Sequence, residues 1–396
     1  MLYPTPFHPR TVSLCETHEW REWAGYMVAA AYSHAFDNEY YAIRNSAALI
    51  DVSPLYKYDF KGVDATRAVN RIITRNAERC RIGQVLYTCW CDDHGKVIDD
   101  GTVTRLDNNH FRITCAEPNL VWFEDCSFGF DVKIIDVSEE LAVLALQGPN
   151  SRQVLQILVK DENISSLKYY QATKAQVGDM ELIISRTGYT GDLGYELWIP
   201  ADQALMVWDR IMDSPLGSWV TPAGMLALDL ARIEAGLLLI QVDYISARRA
   251  MIEEEKSSPF ELGLGWTVDF AKSNFVGKKH LLKELNRGSG YFFAGLEIDW
   301  QDLEREYARY DLVPQVAGRA SRTPVPVYRA GKQVGYATSQ AFSPILKKYI
   351  ALGSFSRAQI KQGDFVDMEI TIEYQRRQVR AQVVSLPFFN PSRKRH

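Results

Sequence analysis

Between positions 84 and 148 short apolar-rich, strand-like stretches dominate the chain. The stretches "QVLYTCWC", "KVIDDGTVTRL", "HFRITCA", "DVKIIDV" and "LAVLALQG" are predicted as successive strands. The flanking regions read differently. Residues 19–60 start helix-like and end in a strand, "YKYDFKGVDA", with Gly62 and Asp64 as turn formers. "DATRAVNRIITRN" (64–76) has a helical period, with Asp64 as N-cap. After the strands, Gly148-Pro149 leads into a helix, "NSRQVLQILVK", and "ADQALMVWDRIM" is a second. In "TPAGMLALDLARIEAGLLLI", Thr221 is expected to cap a helix and Pro222 to occupy its first position. Leu226, Leu230, Ile233 and Leu237 would form its buried stripe.

Meandering strands with occasional helices predict an α+β fold with antiparallel sheets. A doubly wound nucleotide fold is excluded, because the one near-fingerprint, "GLGWTV" at 263–268, does not open a helix. A short basic helix is expected over 277–286, then a linker, "NRGSG". Beyond it the segments are short and strand-like, with a hairpin signal at Ala330-Gly331-Lys332. Residues 291–388 therefore read as a separate all-β domain, a small barrel or sandwich.

Composition narrows the partners. The chain has 396 residues, 46% hydrophobic and 24% charged, with a formal net charge of -4, which suits a globular protein of two or three domains. That charge argues against nucleic acid as a partner. The basic tail Arg393-Lys394-Arg395 is expected to be solvated. No apolar run is long enough for a transmembrane helix, and the N-terminus lacks the basic-then-apolar order of a secretory signal, so a cytoplasmic location is expected. Cys89 and Cys91 alternate in a strand, so both thiols point the same way. With no second cysteine or histidine pair to complete a tetrahedral site beside His94, they read as small core residues.

Two acids fall inside strands. Asp99 and Asp100 are adjacent, so the pleat sends them to opposite faces and one alone can look into a given cleft. From spacing, a sheet-edge acid paired with a lysine remains open beside a functional role. In "SRTGYTGDLGYELWIP" (185–200), Tyr195, Leu197 and Ile199 share one face, and Glu196 and Trp198 the other. An acid beside a tryptophan suits a flat ring with two parallel N–H donors, which a carboxylate can take bidentately. The glycines before it would let backbone approach such a ring. A turn held by a structural ion pair remains the alternative.

That stretch closely resembles the signature of the glycine cleavage T-protein (aminomethyltransferase) family, RTGYTGE-x-G-F/Y-E. "YAIRNSAALIDVSPLYKYDFKG" (41–62), "GKVIDDGTV", "LALQGPNS", "ARIEAGL", "FELGLGWTVDFAKSNFVGKKHL" and "VGYATSQAFSPILKKYIALG" resemble further family motifs in the same order. The resemblance covers roughly residues 20–388. It implies a three-domain arrangement: a folate-binding region over 1–275 with two α+β subdomains, a helix and linker over 276–290, and a β-barrel domain over 291–390. It also implies an enzyme that transfers a one-carbon unit from a small donor to tetrahydrofolate. Asp100 matches the family's catalytic aspartate, Glu196 the glutamate that holds the pterin, Tyr189 a tyrosine near the folate, and Leu55 an apolar residue against the pterin. Cys115 and Arg232 also fall among the cofactor-binding positions.

The departures bear on substrate. Leu228 stands where typical T-proteins carry an arginine, with Asp229 retained. Cys115 replaces a usual asparagine, and Phe111 a tyrosine. Arg232 matches the arginine of the family's own R-L/I-E-A-G element. No K-G-C-Y-x-G-Q-E element is present, which counts against the iron–sulfur maintenance branch. The activities implied are a T-protein-like aminomethyl transfer with a lipoyl carrier protein as a partner, or a demethylase of a small methylated amine, thioether or aryl ether. A non-catalytic folate-binding regulator is the third reading.

Overall fold

A computed structural model describes residues 2–159, 163–316 and 318–395. Beside a small three-stranded sheet near the N-terminus, three larger β-assemblies organise the described residues. The first is a six-stranded mixed sheet in the order Ala172–Val177, Met180–Ser185, Gly194–Pro200, Leu141–Gln147, Ala47–Asp51, Val220–Pro222. The second is a five-stranded antiparallel sheet, ordered Val85–Cys91, Val97–Asp107, His110–Cys115, Tyr56–Lys61, Lys133–Asp136. The third is a closed six-stranded barrel built from residues between Tyr291–Ile298 and Gln375–Val384. This is the α+β fold with an antiparallel bias and a C-terminal barrel that the pattern predicts.

Alternation decides which face each strand buries. Tyr195, Leu197 and Ile199 are fully buried in one core with Leu144 and Leu146. Trp198 packs on the opposite face with Val143, Ala145 and Leu228. The two sheets meet where Gln84 bridges Gln171 and the Val85 N–H donates to the Tyr170 carbonyl at 2.9 Å. That junction brings the start of the Val85–Cys91 strand beside the edge of the six-stranded sheet. Cys89 and Cys91 are fully buried among Leu281, Phe275 and Leu262, as small core residues.

Several local expectations are corrected. Trp20–Trp23 and Tyr26–Ala29 pair as strands around Gly25. The helix of that region falls later, at Asp37–Asn45. Asp64 occupies the N-cap position of Ala65–Ile72, but its carboxylate accepts from the Asp131 N–H and Arg67 rather than capping. Thr221 and Pro222 belong to a strand parallel to Ala47–Asp51, and the helix starts only at Met225 behind Gly224. Sheet pairing at Ala47–Leu49 claims the segment that capping chemistry had suggested for the helix. The barrel segment is not all-β either. Helix Trp300–Ala308 interrupts it, capped by Asp299 accepting from the Gln301 and Asp302 N–H groups at 3.0 and 3.1 Å.

The basic tail is not solvated. Arg393 forms a bidentate pair with the buried Asp192 at 2.7 and 2.8 Å, and its guanidinium also donates to the Arg44 carbonyl. Lys394 lies 5.4 Å from the centre of the Tyr169 ring. Asp192 sits buried in the glycine-rich turn, 3.6 Å from the Arg44 guanidinium, and the folded-back tail adds its second, closer cation.

Candidate functional site

Sheet register builds the surroundings of Glu196. Pairing of Gly194–Pro200 with Met180–Ser185 sets Ser185 directly beside Glu196. Ser185 and Thr187 donate to its Oε2 at 3.4 and 2.6 Å, and the Trp198 indole N–H donates to Ser185 Oγ at 3.1 Å. Among the described residues Oε1 accepts no hydrogen bond. Burial raises the carboxyl's pKa above the usual range, and the two hydroxyls pull it partly back. The turn before the strand owes its glycines to internal packing. A Cβ at Gly188 or Gly194 would fall within 2.1–2.2 Å of the Gln147 amide, and Gly191, at φ +74°, lies against Ala235.

Asp100 lies on a strand with neighbours on both sides, so it is not a sheet-edge acid. Its register partner is Cys89, which places Tyr87, two residues earlier, on the same face. Tyr87 donates to Asp100 Oδ2 at 2.6 Å, and Tyr244 donates to Oδ1. No lysine is involved. Burial pushes the Asp100 carboxyl up while both phenol bonds oppose that shift. The phenols themselves are held far above their ordinary value by burial and by the neighbouring carboxylate, so they remain protonated donors. Asp99 faces the other way, fully buried, and accepts from the Asn119 side chain at 2.9 Å and the Glu117 N–H at 3.0 Å.

Half-buried Tyr170 lies where it feels the Glu196 charge, and Tyr87 binds Asp100. Tyr189 donates to the Leu238 carbonyl, and both Tyr189 and Leu55 pack against the cluster that holds Trp198. Leu55 also accepts from Lys57 through its carbonyl at 2.7 Å. Glu196, Asp100, Tyr189 and Leu55 thus belong to one neighbourhood between the sheets.

Cys115 lies on the other face of its sheet, and Arg232 lies near Tyr189 but is held by the chain itself. Cys115 sits on the Asp99 side of its sheet, in the core with Phe111 and Ile113, donating to the Glu117 carbonyl at 3.3 Å. Arg232 is fully buried and engaged by the chain itself. It donates to Asp229 at 2.9 Å, Asp243 at 2.5 Å and Ser339 Oγ at 2.7 Å. Tyr87, Tyr244, Ser185 and Thr187 were not anticipated. Strand register could have found Tyr87 from the Asp93-His94-Gly95 turn, and Ser185 from its own hairpin. Tyr244 carries no local signal, since it reaches Asp100 from 144 positions away.

This architecture carries one acid on each of its two large sheets and a closed barrel beyond them. Residues 13–272 match the GCVT N-terminal domain family and residues 312–390 the glycine cleavage T-protein C-terminal barrel domain. An aminomethyltransferase of Halothermothrix orenii is 33% identical over 93% of this chain and 95% of its own length. One from Pseudothermotoga lettingae is 32% identical over 98% and 99%. The crystal structure of the glycine cleavage system aminomethyltransferase T from Bartonella henselae superposes with a TM-score of 0.83 at 24% identity, covering 98% of this chain and 99% of that one. The chain belongs to the glycine cleavage T-protein family, and is a transferase of the kind that uses tetrahydrofolate. No described helix is long and apolar enough to cross a membrane.

The residues present fit that reactant. A reduced pterin offers adjacent N–H donors, and Glu196 holds one carboxylate oxygen without a partner beside apolar walls at Leu55 and Tyr189.

Proposed function

We propose that this protein transfers a one-carbon unit from a heteroatom of a small donor to tetrahydrofolate, with Glu196 binding the pterin and Asp100 acting at the reacting nitrogen. The observation that carries the reading is the contrast between the two acids: one keeps an oxygen unpartnered, and the other has both oxygens held by phenols. Tetrahydrofolate supplies the nucleophilic nitrogen that accepts the one-carbon unit. Glu196 orients the ring by taking its N–H donors bidentately. Tyr87 and Tyr244 fix the Asp100 carboxylate in place before reaction, so that its charge stabilises positive charge developing beside it. Leu55 and Tyr189 serve as apolar walls, which keep water from competing for Glu196.

The first reading of the donor is an aminomethyl group on a lipoyl carrier protein, as the names of the relatives suggest. A second, demethylation of a small methylated amine, thioether or aryl ether, is favoured by one observation. Leu228 replaces the family arginine, and the two arginines that pair with the adjacent Asp229 are Arg232, also held by Asp243 and Ser339, and the partly exposed Arg322. Calorimetric binding of tetrahydrofolate, followed by a mass-spectrometric screen of methylated compounds with and without an aminomethylated carrier protein, separates them. Release of ammonia only with the carrier supports the first. Methyltetrahydrofolate formed without it supports the second. Absence of tetrahydrofolate binding would refute both.

A further inference from the structure

The chain crosses between the two large sheets at two neighbouring places. It leaves Ala47–Asp51 of the six-stranded sheet through residues 52–55 and enters the five-stranded sheet at Tyr56–Lys61. It returns from Lys133–Asp136 through residues 137–140 to Leu141–Gln147. Glu196 pairs with Ala145 on that last strand, and Asp100 belongs to the five-stranded sheet. Both crossings therefore help set how the two acids stand to one another.

Lys57 ties the crossings together. Its side chain is fully buried, and its amine donates to the Ser53 and Leu55 carbonyls at 2.7 Å each and to the Ser138 carbonyl at 3.1 Å. Its backbone N–H donates to Ser138 Oγ at 2.9 Å, and its carbonyl accepts from the Val137 N–H at 2.9 Å. Three carbonyls use every donor of an ammonium; a neutral amine has one fewer and would turn its lone pair on an oxygen. The charged and titratable groups facing it are Asp51, Asp136, Arg112 and the Cys115 thiol. Asp51 accepts from the Ser53 N–H at 3.0 Å, Asp136 from the Ser138 N–H at 2.9 Å, and Arg112 pairs with Asp59 at 2.7 Å. Burial works against the lysine charge and brings its pKa down to about 7.

We propose that Lys57 is a positioning residue, whose charged amine clasps both crossings and so holds the Leu55 wall and the Asp100 sheet in place opposite Glu196. The identity of the ligand rests on the tetrahydrofolate reading; the clasp rests on the bonds alone. Losing the proton slackens both crossings at once, and apparent affinity falls with the fraction of the protein that stays clasped. The resulting loss lies on the alkaline side. Glu196 acts in the opposite direction, because its ionisation strengthens binding as pH rises.

The test compares wild type with Lys57→Met, which keeps the reach of the side chain and removes its donors. Tetrahydrofolate binding is measured by calorimetry under argon between about pH 6 and pH 8.5. Amide hydrogen exchange, corrected for intrinsic rates, is followed by mass spectrometry over residues 52–58 and 137–143. Near pH 6 Lys57→Met should bind about tenfold more weakly than wild type and exchange faster in both segments. Wild type should approach the variant's affinity as pH rises past 7, with both segments loosening together, while the variant shows no alkaline limb. Lys57→Gln, with two donors on a shorter stem, should also lack that limb. It and the wild-type series carry the test should the methionine variant not fold. An alkaline limb that survives in either variant, or exchange that changes in one crossing or in neither, overturns the clasp. If wild type binds no tetrahydrofolate, the ligand reading fails and exchange alone decides: coupled loosening of both segments upholds the clasp, and any other pattern refutes it.

Discussion

Two clusters of buried charge lie close together in this molecule, and they are built on opposite plans. Around Arg232 every charged group is answered from within: Asp229 by Arg232 and Arg322, Asp243 by Arg232, Thr338 and Ser339. Around Asp100 and Glu196 the side-chain donors among the described residues are hydroxyls, none of those residues' cations pairs with either acid, and one oxygen of Glu196 accepts from none of them. A buried carboxylate without a counter-charge is costly, and evolution of a stable core alone would remove it. The closed cluster joins helix Met225–Glu234 to the barrel, and the open one is where the proposed ligand site lies.

Breaking the closed cluster should have the largest effect, and it should fall on stability. Arg232→Ala strands two buried carboxylates and is expected to cost about 3–5 kcal/mol in denaturant unfolding. The tetrahydrofolate affinity of the remaining folded fraction should stay near wild type; a selective loss of binding would instead place Arg232 in the ligand site. Next, Asp100→Asn removes the held charge and should lower kcat about a hundred- to a thousand-fold, ~3–4 kcal/mol, with binding retained. Normal turnover by that variant would end the catalytic assignment.

Glu196→Gln should weaken tetrahydrofolate by roughly 2 kcal/mol or more, read by calorimetry. The same change should raise the melting temperature at neutral pH. A carboxyl whose folded pKa is raised adds stability only while protonated, below its unfolded value, and loses it as pH rises through the folded value. At neutral pH the ionised Glu196 is therefore a burden on the fold, and the amide relieves it. The smallest effect is expected at Tyr244→Phe. Losing that phenol removes a bond that holds the Asp100 pKa down, so the acidic limb of the kcat profile should move upward by about one to two pH units. A profile unchanged in position would mean that Asp100 is not the group titrating.

Much of this was legible beforehand, for reasons that can be stated. Period-two alternation put Tyr195, Leu197 and Ile199 into one core and Glu196 on the other face, and the pleat separated Asp99 from Asp100. Such local geometry follows from neighbouring residues alone. The Thr221-Pro222 segment misled, because a parallel partner some 170 positions away in sequence outweighed its capping chemistry. Arg393 misled for the same reason: its partner Asp192 lies in another part of the chain. Tyr244, which completes the hold on Asp100, is a long-range fact of the same kind. The glycines of the 188–194 turn were visible, but their purpose, room for Gln147 and Ala235, depends on residues far from the motif.

The attachment of the barrel has a bearing on traffic. Ser343 donates to Glu234 at 2.5 Å, Thr338 and Ser339 to Asp243 at 2.6 and 2.7 Å, and Arg232 to Ser339 at 2.7 Å. Hydrogen bonds to charged groups contribute about 1.5–3 kcal/mol each, so swinging the barrel aside as a door would forfeit several at once. Any route for reactants that required the barrel to part from helix Met225–Glu234 would carry that cost.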